Sequence, residues 1–281
     1  MKLGIFAKTF AGTEPLAVLT AAAAAGFSNV QYNMSCSGME PMPEYVGEDK
    51  IRAIASATRE AKVSVAALSG TYNMIHPDMR VRRDGHRRLA AVAAAASAMG
   101  TGLITLCTGT RDPVDQWQAH QDNQSPQAWR DLLESMETAI GIAERHNVML
   151  GIEPELANVV DSAAKARQLI DELGSARVKI VIDPANLFEI ETLERQRKIV
   201  SEAIQLLSDS IIMGHAKDRE KNGNFAAAGK GVLDYRHYLS CLKDVGFMGP
   251  LVTHGLGADE AQGVASFLRR AIEECGIETS Q

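Results

Sequence analysis

The strongest constraint in this sequence is a pattern that occurs four times in its second half. A short apolar run of strand length breaks off in a residue able to bind a metal or move a proton. Val148-Met149-Leu150-Gly151-Ile152 ends in Glu153-Pro154-Glu155, Val178-Lys179-Ile180-Val181-Ile182 in Asp183-Pro184, Ser210-Ile211-Ile212-Met213-Gly214 in His215, and Pro250-Leu251-Val252-Thr253 in His254. The terminal residues are 30, 32 and 39 positions apart (183−153, 215−183, 254−215). That is close to the roughly 31 residues per unit obtained when a barrel of ~250 residues is divided among eight strand-helix units. Four potential ligands then crown four consecutive strands.

The rest of the chain keeps the same alternation. Strands are predicted at Lys2–Phe6, Ser28–Asn33, Val63–Ser69 and Gly102–Cys107, followed by Val148–Glu153, Val178–Asp183, Ser210–His215 and Leu251–His254. Helices are predicted at Glu14–Ala25, Glu48–Ala61, Asp78–Met99 and Pro126–His146, then Ser162–Leu173, Glu191–Leu207, Tyr235–Asp244 and Asp259–Cys275. Ser125 before Pro126 supplies an N-cap and a first-turn proline, and Gly26, Gly100 and Gly174 stand where helices stop. Strict alternation favours a parallel sheet with helical crossovers. With eight strands, no G-x-G-x-x-G after the first of them, and polar residues at nearly every strand end, a single (β/α)8 TIM barrel over residues 1–281 is preferred to an open doubly wound sheet. Two connections are long and polar: Thr108–Ser125, which carries Trp117, and Ala216–Asp234.

Composition narrows the partners. Of 281 residues 46% are hydrophobic and 23% charged, which are ordinary globular values, and the net charge of −6 argues against a nucleic-acid ligand needing a continuous basic face. No apolar run reaches the ~20 residues needed to span a bilayer, and the N-terminus lacks the h-region of a secretory signal. The four cysteines, Cys36, Cys107, Cys241 and Cys275, are scattered and expected to be reduced. The expectation is a cytoplasmic protein with a small-molecule substrate and neither a nucleic-acid nor a membrane partner. Whether it forms a homo-oligomer stays open.

In such a barrel the C-terminal strand ends form the mouth where active sites lie. Glu153, Asp183 and His215 offer two oxygens and a nitrogen, and His254 adds a second nitrogen. That donor set suits one divalent ion of the Mn, Co, Zn, Fe or Mg group. Around the same mouth, Asn73, His76, Arg111, Trp117, Asn186, Lys217 and Lys230 are candidate substrate-binding residues. All but Lys217 have a plainer alternative: the asparagines satisfying loop backbone, His76 packing on Pro77, Arg111 pairing with Asp112, Trp117 anchoring its own loop, and Lys230 standing in solvent.

At these residues the sequence resembles the xylose-isomerase-like sugar phosphate isomerases and epimerases. The resemblance spans nearly the whole chain and rests on four segments: Gly151-Ile152-Glu153-Pro154-Glu155, Ile182-Asp183-Pro184-Ala185-Asn186, His215-Ala216-Lys217-Asp218 with Gly229-Lys230-Gly231, and Leu251-Val252-Thr253-His254-Gly255-Leu256. Members of that family place Glu, Asp, His and Glu around one divalent metal, the two glutamates exchanging protons with the sugar. Glu153, Asp183 and His215 match the first three positions, whereas His254 stands where the pattern has glutamate. The resemblance implies an isomerase or epimerase of a small sugar, sugar phosphate or polyol-derived ketone, with Glu153 and His254 as catalytic residues. A dehydratase or lyase of a keto-sugar or inosose is the second implication, and a non-catalytic sugar-binding barrel the third.

Overall fold

The structure, a computed structural model, describes residues 1–278. Among the described residues ten strands are formed: β1 Lys2–Phe6, β2 Asn29–Tyr32, β3 Ser64–Ser69, β4 Leu103–Cys107, β5 Met149–Glu153, β6 Val178–Ile182, β7 Ile211–Ala216, β8 Asp218–Arg219, β9 Phe225–Ala226 and β10 Pro250–Thr253. The helices are α1 Pro15–Ala24, α2 Glu48–Ala61, α3 Met79–Ala96, α4 Pro126–His146, α5 Ala163–Leu173, α6 Leu193–Leu207, α7 Tyr235–Asp244 and α8 Ala261–Glu274. Eight strands close in the order β1-β10-β7-β6-β5-β4-β3-β2, every pair parallel, so the chain is a (β/α)8 TIM barrel. Buried on both faces, these strands read as continuous apolar runs rather than as alternation. Ala67, Leu103, Val181, Met213 and Val252 fill the interior, and a larger core lies between strands and helices.

Local chemistry sets the helix starts. Ser125 Oγ accepts from Ala128 N–H at 3.1 Å to open α4, and Asp78 Oδ1 accepts from Arg80 N–H at 2.8 Å to open α3. Asp234 Oδ1 does the same for α7, accepting from His237 N–H at 3.0 Å. No described helix is long and apolar enough to cross a membrane.

The long connection after β7, expected as a polar loop, contains secondary structure of its own. Within it β8 and β9 pair antiparallel, and the buried Asp218 carboxylate accepts backbone N–H bonds from Arg219, Gly229, Gly231 and Leu233. A side chain at Gly231 would collide with the Arg219 carbonyl and the Asp218 carboxylate. The Gly-Lys-Gly sequence therefore permits the close approach that winds this loop around one carboxylate.

Candidate metal centre

The parallel order β5-β6-β7-β10 makes four strand ends neighbours, and Glu153, Asp183, His215 and His254 meet there. One ligand atom from each lies within 4.8 Å of all the others. Glu153, Asp183 and His215 are buried and His254 is partly so. The rings of His215 and His254 are 4.5 Å apart at their centroids.

Hydrogen bonds fix the orientation of each group. Thr105 Oγ1 donates to the Leu68 carbonyl, so it accepts from Gln31 Nε2 at 3.0 Å, which turns Gln31 Oε1 toward His215 Nε2 at 2.9 Å. An amide oxygen accepts, so His215 carries its proton on Nε2 and directs the Nδ1 lone pair at Glu153 Oε1, 3.1 Å away. Two acceptors facing each other at that distance need a proton or a cation between them. On the other side, His254 Nε2 lies 3.0 Å and Lys217 Nζ 3.3 Å from the same oxygen of Asp183, while Asp183 Oδ1 accepts from Ala185 N–H at 2.9 Å. Asn186 joins the halves, donating to Glu153 Oε1 at 2.8 Å and accepting from Lys217 Nζ at 2.8 Å. Among the described residues Glu153 Oε2 has no hydrogen-bond partner.

The electrostatics follow from burial and this clustering. Burial would raise both carboxyls. Lys217, His254 and His215 outweigh it for Asp183, and His215 outweighs it for Glu153, so both are held below the usual carboxylate range. Burial first, then the neighbouring His215, pushes His254 below the usual histidine value. At neutral pH the cluster is two carboxylates with a neutral His254, a donor set that fits a divalent ion. Glu155, half-buried, is pushed up to about 7 by burial and by the charge of Glu153.

The other sequence-derived candidates divide. Lys217 and Asn186 lie inside the cluster, with Phe225 across the ammonium at 3.7 Å. Asn73, His76 and Arg111, expected among the substrate contacts, have their polar atoms taken up by the loops. Asn73 donates to the Thr110 carbonyl at 2.8 Å and accepts from Thr110 N–H at 3.1 Å, and His76 Nδ1 accepts from Asp78 N–H while Nε2 donates to the Pro113 carbonyl at 3.1 Å. Arg111 pairs with Asp131 of α4, not Asp112, and donates to the Ile75 carbonyl. Trp117 is 49% exposed and lines a 490 Å³ groove with Tyr72, Asn73 and His76 that none of the four clustered ligand residues lines. Lys230 is exposed, its flanking glycines being the ones bound to Asp218.

Sequence reasoning missed Gln31, a polar residue inside β2 rather than at a strand end, and gave no role to Glu155, although it stands in the Glu-Pro-Glu motif. A polar side chain in an apolar barrel strand was the available signal for the first.

A family model described as xylose isomerase-like TIM barrel matches residues 19–271. Solved structures with the same fold include 3-keto-D-glucoside 4-epimerase from E. coli, at TM-score 0.75 and 16% identity, covering 96% of this chain and 99% of that one. D-Psicose 3-epimerase from Clostridium cellulolyticum H10, in a structure with D-tagatose, aligns at TM-score 0.75 and 17% identity over 97% and 99% of the two chains. An IolI protein with a bound zinc atom aligns at 0.72 and 15% identity over 98% of each chain. No curated protein matches the chain by sequence.

Proposed function

The chain belongs to the xylose isomerase-like TIM-barrel family, and from that premise we propose that it is a divalent-metal-dependent isomerase or epimerase of a small sugar, sugar phosphate or polyol-derived ketone. The observation that carries this reading is the convergence of two carboxylates and two imidazoles within 4.8 Å at the barrel mouth. Sugar epimerases on the same fold support the carbohydrate substrate, and the zinc in the IolI structure supports the metal.

Glu153, Asp183, His215 and His254 would hold the ion. When bound it supplies Lewis-acid polarisation of a carbonyl and its neighbouring hydroxyl, which acidifies the adjacent C–H. Glu153 is the residue assigned to that proton: its Oε1 is held by the Asn186 amide and faces His215 Nδ1, which leaves Oε2 free to face substrate carbon. Asn186 and Lys217 position substrate oxygens, Lys217 also bringing positive charge to where an oxyanion develops. The phenyl ring of Phe225 shields Lys217 on one side and limits water there. In an epimerisation His254 handles the proton on the opposite face once its ring is released from the ion.

The second reading is a dehydratase or lyase acting on a keto-sugar or inosose. It is favoured by the composition of the cluster, which contains one glutamate and a histidine in the fourth position. A coordinated imidazole has no second lone-pair atom facing the substrate, whereas a monodentate carboxylate does.

The test is metal analysis of the purified protein together with turnover of a panel of ketoses and inososes in D2O. Solvent deuterium appearing at the carbon next to the carbonyl, abolished in Glu153→Gln with metal content reduced but measurable, supports proton abstraction by Glu153. Equal exchange in both proteins sinks it. Loss of water from the substrate, with no epimer or isomer formed, selects the second reading.

A further inference from the structure

The opposite end of the barrel holds a pocket of 370 Å³, among the starts of β1, β2 and β3 and the C-terminal end of α2. Its lining contains three cations, Lys2, Arg59 and Lys62, and no carboxylate. The chain as a whole has 35 acidic residues against 29 basic ones, so this lining departs from the average surface. Among the described residues none of the three forms an ion pair, although most other arginines of the chain do.

Basic residues at a helix C-terminus offset its dipole, and Arg59 and Lys62 stand at that end of α2. The dipole amounts to about half a negative charge. Three full positive charges exceed it several-fold, which leaves a surplus for an external anion. Lys62 also occupies a left-handed C-cap, φ 55°, a conformation that glycine or asparagine takes at less cost.

Beneath the cations lies Asn29, 4% exposed. Its Oδ1 accepts from Ser64 Oγ at 2.6 Å, while its buried Nδ2 has no acceptor. A buried N–H left without a partner costs about 1–3 kcal/mol. An anionic oxygen that reaches this amide from the pocket would remove that cost, and the Ser28 hydroxyl stands in the same lining, those of Thr58 and Ser64 already donating to the Ala55 carbonyl and to Asn29.

We propose that this pocket binds a phosphate dianion, free or as the ester of a small sugar, through Lys2, Arg59 and Lys62 with the Asn29 amide at its base. A volume of 370 Å³ exceeds what phosphate alone fills and lies within the ~300–1,000 Å³ of small-molecule pockets. The N-terminal face of a TIM barrel carries stability rather than chemistry. Occupancy therefore stabilises the fold from outside the mouth, independently of the reaction proposed above.

Isothermal titration of the full chain with inorganic phosphate and with glucose 6-phosphate, at low ionic strength and after chelation, tests this. Chelation removes any ion at the mouth that would bind phosphate. Binding is expected to weaken at least 10-fold in Arg59→Gln/Lys62→Asn, in which asparagine keeps the left-handed cap without the charge. It is expected to be unchanged in Asp183→Asn, and Glu153→Gln serves the same purpose if that variant folds poorly. At least 10-fold tighter binding of glucose 6-phosphate than of phosphate makes the sugar ester the ligand, and similar affinities make it the free ion. No binding at millimolar concentration, wild-type affinity in the double variant, or parallel loss in Asp183→Asn would overturn the assignment.

Discussion

Asp183→Asn separates a metal centre from a buried ion-pair cluster. Asparagine retains an oxygen to accept the Ala185 N–H held at 2.9 Å, so the turn after β6 persists while the charge is lost and the atom facing Lys217 and His254 changes from acceptor to donor. Lys217 Nζ, 3.3 Å from Asp183 Oδ2, then loses an attraction of about 5 kcal/mol at an effective dielectric of about 20. Water does not reach Asp183, which is fully buried, and the net cost of breaking such a pair is about 3–5 kcal/mol. At about 2 °C per kcal/mol for a chain of this size, Tm of the metal-free variant should fall by about 6–10 °C. Either reading of the cluster predicts that drop. Metal binding adds a second effect: an ion at about 100 times its Kd stabilises the wild type by about 2.7 kcal/mol, or about 5 °C. The variant, with one of two ligand carboxylates gone, should show no such rise. Differential scanning calorimetry of chelated protein, with Mn²⁺, Co²⁺ and Zn²⁺ added back in turn, measures both. A chelated wild type whose Tm none of the ions raises, or an Asn variant that shifts as much as wild type, would falsify the metal centre.

Gln31→Ala removes the acceptor that holds the His215 proton on Nε2. Metal affinity measured by competition with a chelator should drop about 10–100-fold and Tm of the metal-free protein should fall by about 2–6 °C, since the buried His215 Nε2–H loses its acceptor; equal affinity would show that Gln31 does not orient the ligand. His254→Glu should keep the ion and gain, or speed, epimerisation at the carbon bearing the exchanged proton; a variant that binds no metal argues that the imidazole is indispensable to the site. Because burial and His215 hold His254 below the usual histidine value, its neutral form persists into mild acid. Metal content should then be constant from pH 8 to about 6.5, the ordinary histidine value, and fall only below it; a loss centred above pH 7 contradicts this. Asp131 is buried, which opposes ionisation, yet hydrogen bonds from Arg111 and Gln127 and the charges of Arg111 and Arg82 hold it below the usual range. A depressed carboxyl contributes stability above its unfolded value and loses it as pH falls. Asp131→Asn should therefore cost about 3 kcal/mol at pH 7 and progressively less below about pH 4. Urea unfolding at both pH values measures this, and a cost independent of pH would refute it.

The alternation of elements and the strand-end ligands were legible in the sequence because both are local. Ser125-Pro126 opens α4 where the cap chemistry says it should, and an apolar run that stops in Glu, Asp or His marks a strand end without knowledge of its neighbours. The hairpin of β8 and β9 was not legible, since two-residue strands carry no periodicity. Their pairing is held by one Asp218 carboxylate that gathers amides up to 15 positions away. Arg111 and Asp112 are adjacent in sequence, yet Arg111 turns to Asp131, which α4 carries back against the loop. Gln31 and His215 are 184 positions apart, and no local pattern links them. Their hydrogen bond exists because barrel closure sets β2 across the mouth from β7. Periodicity and capping act within a few residues, so the chain alone fixes where ligands end their strands. Which polar atoms then face one another is settled only when eight strands close a common, nearly dry mouth in which every buried donor and acceptor needs a partner.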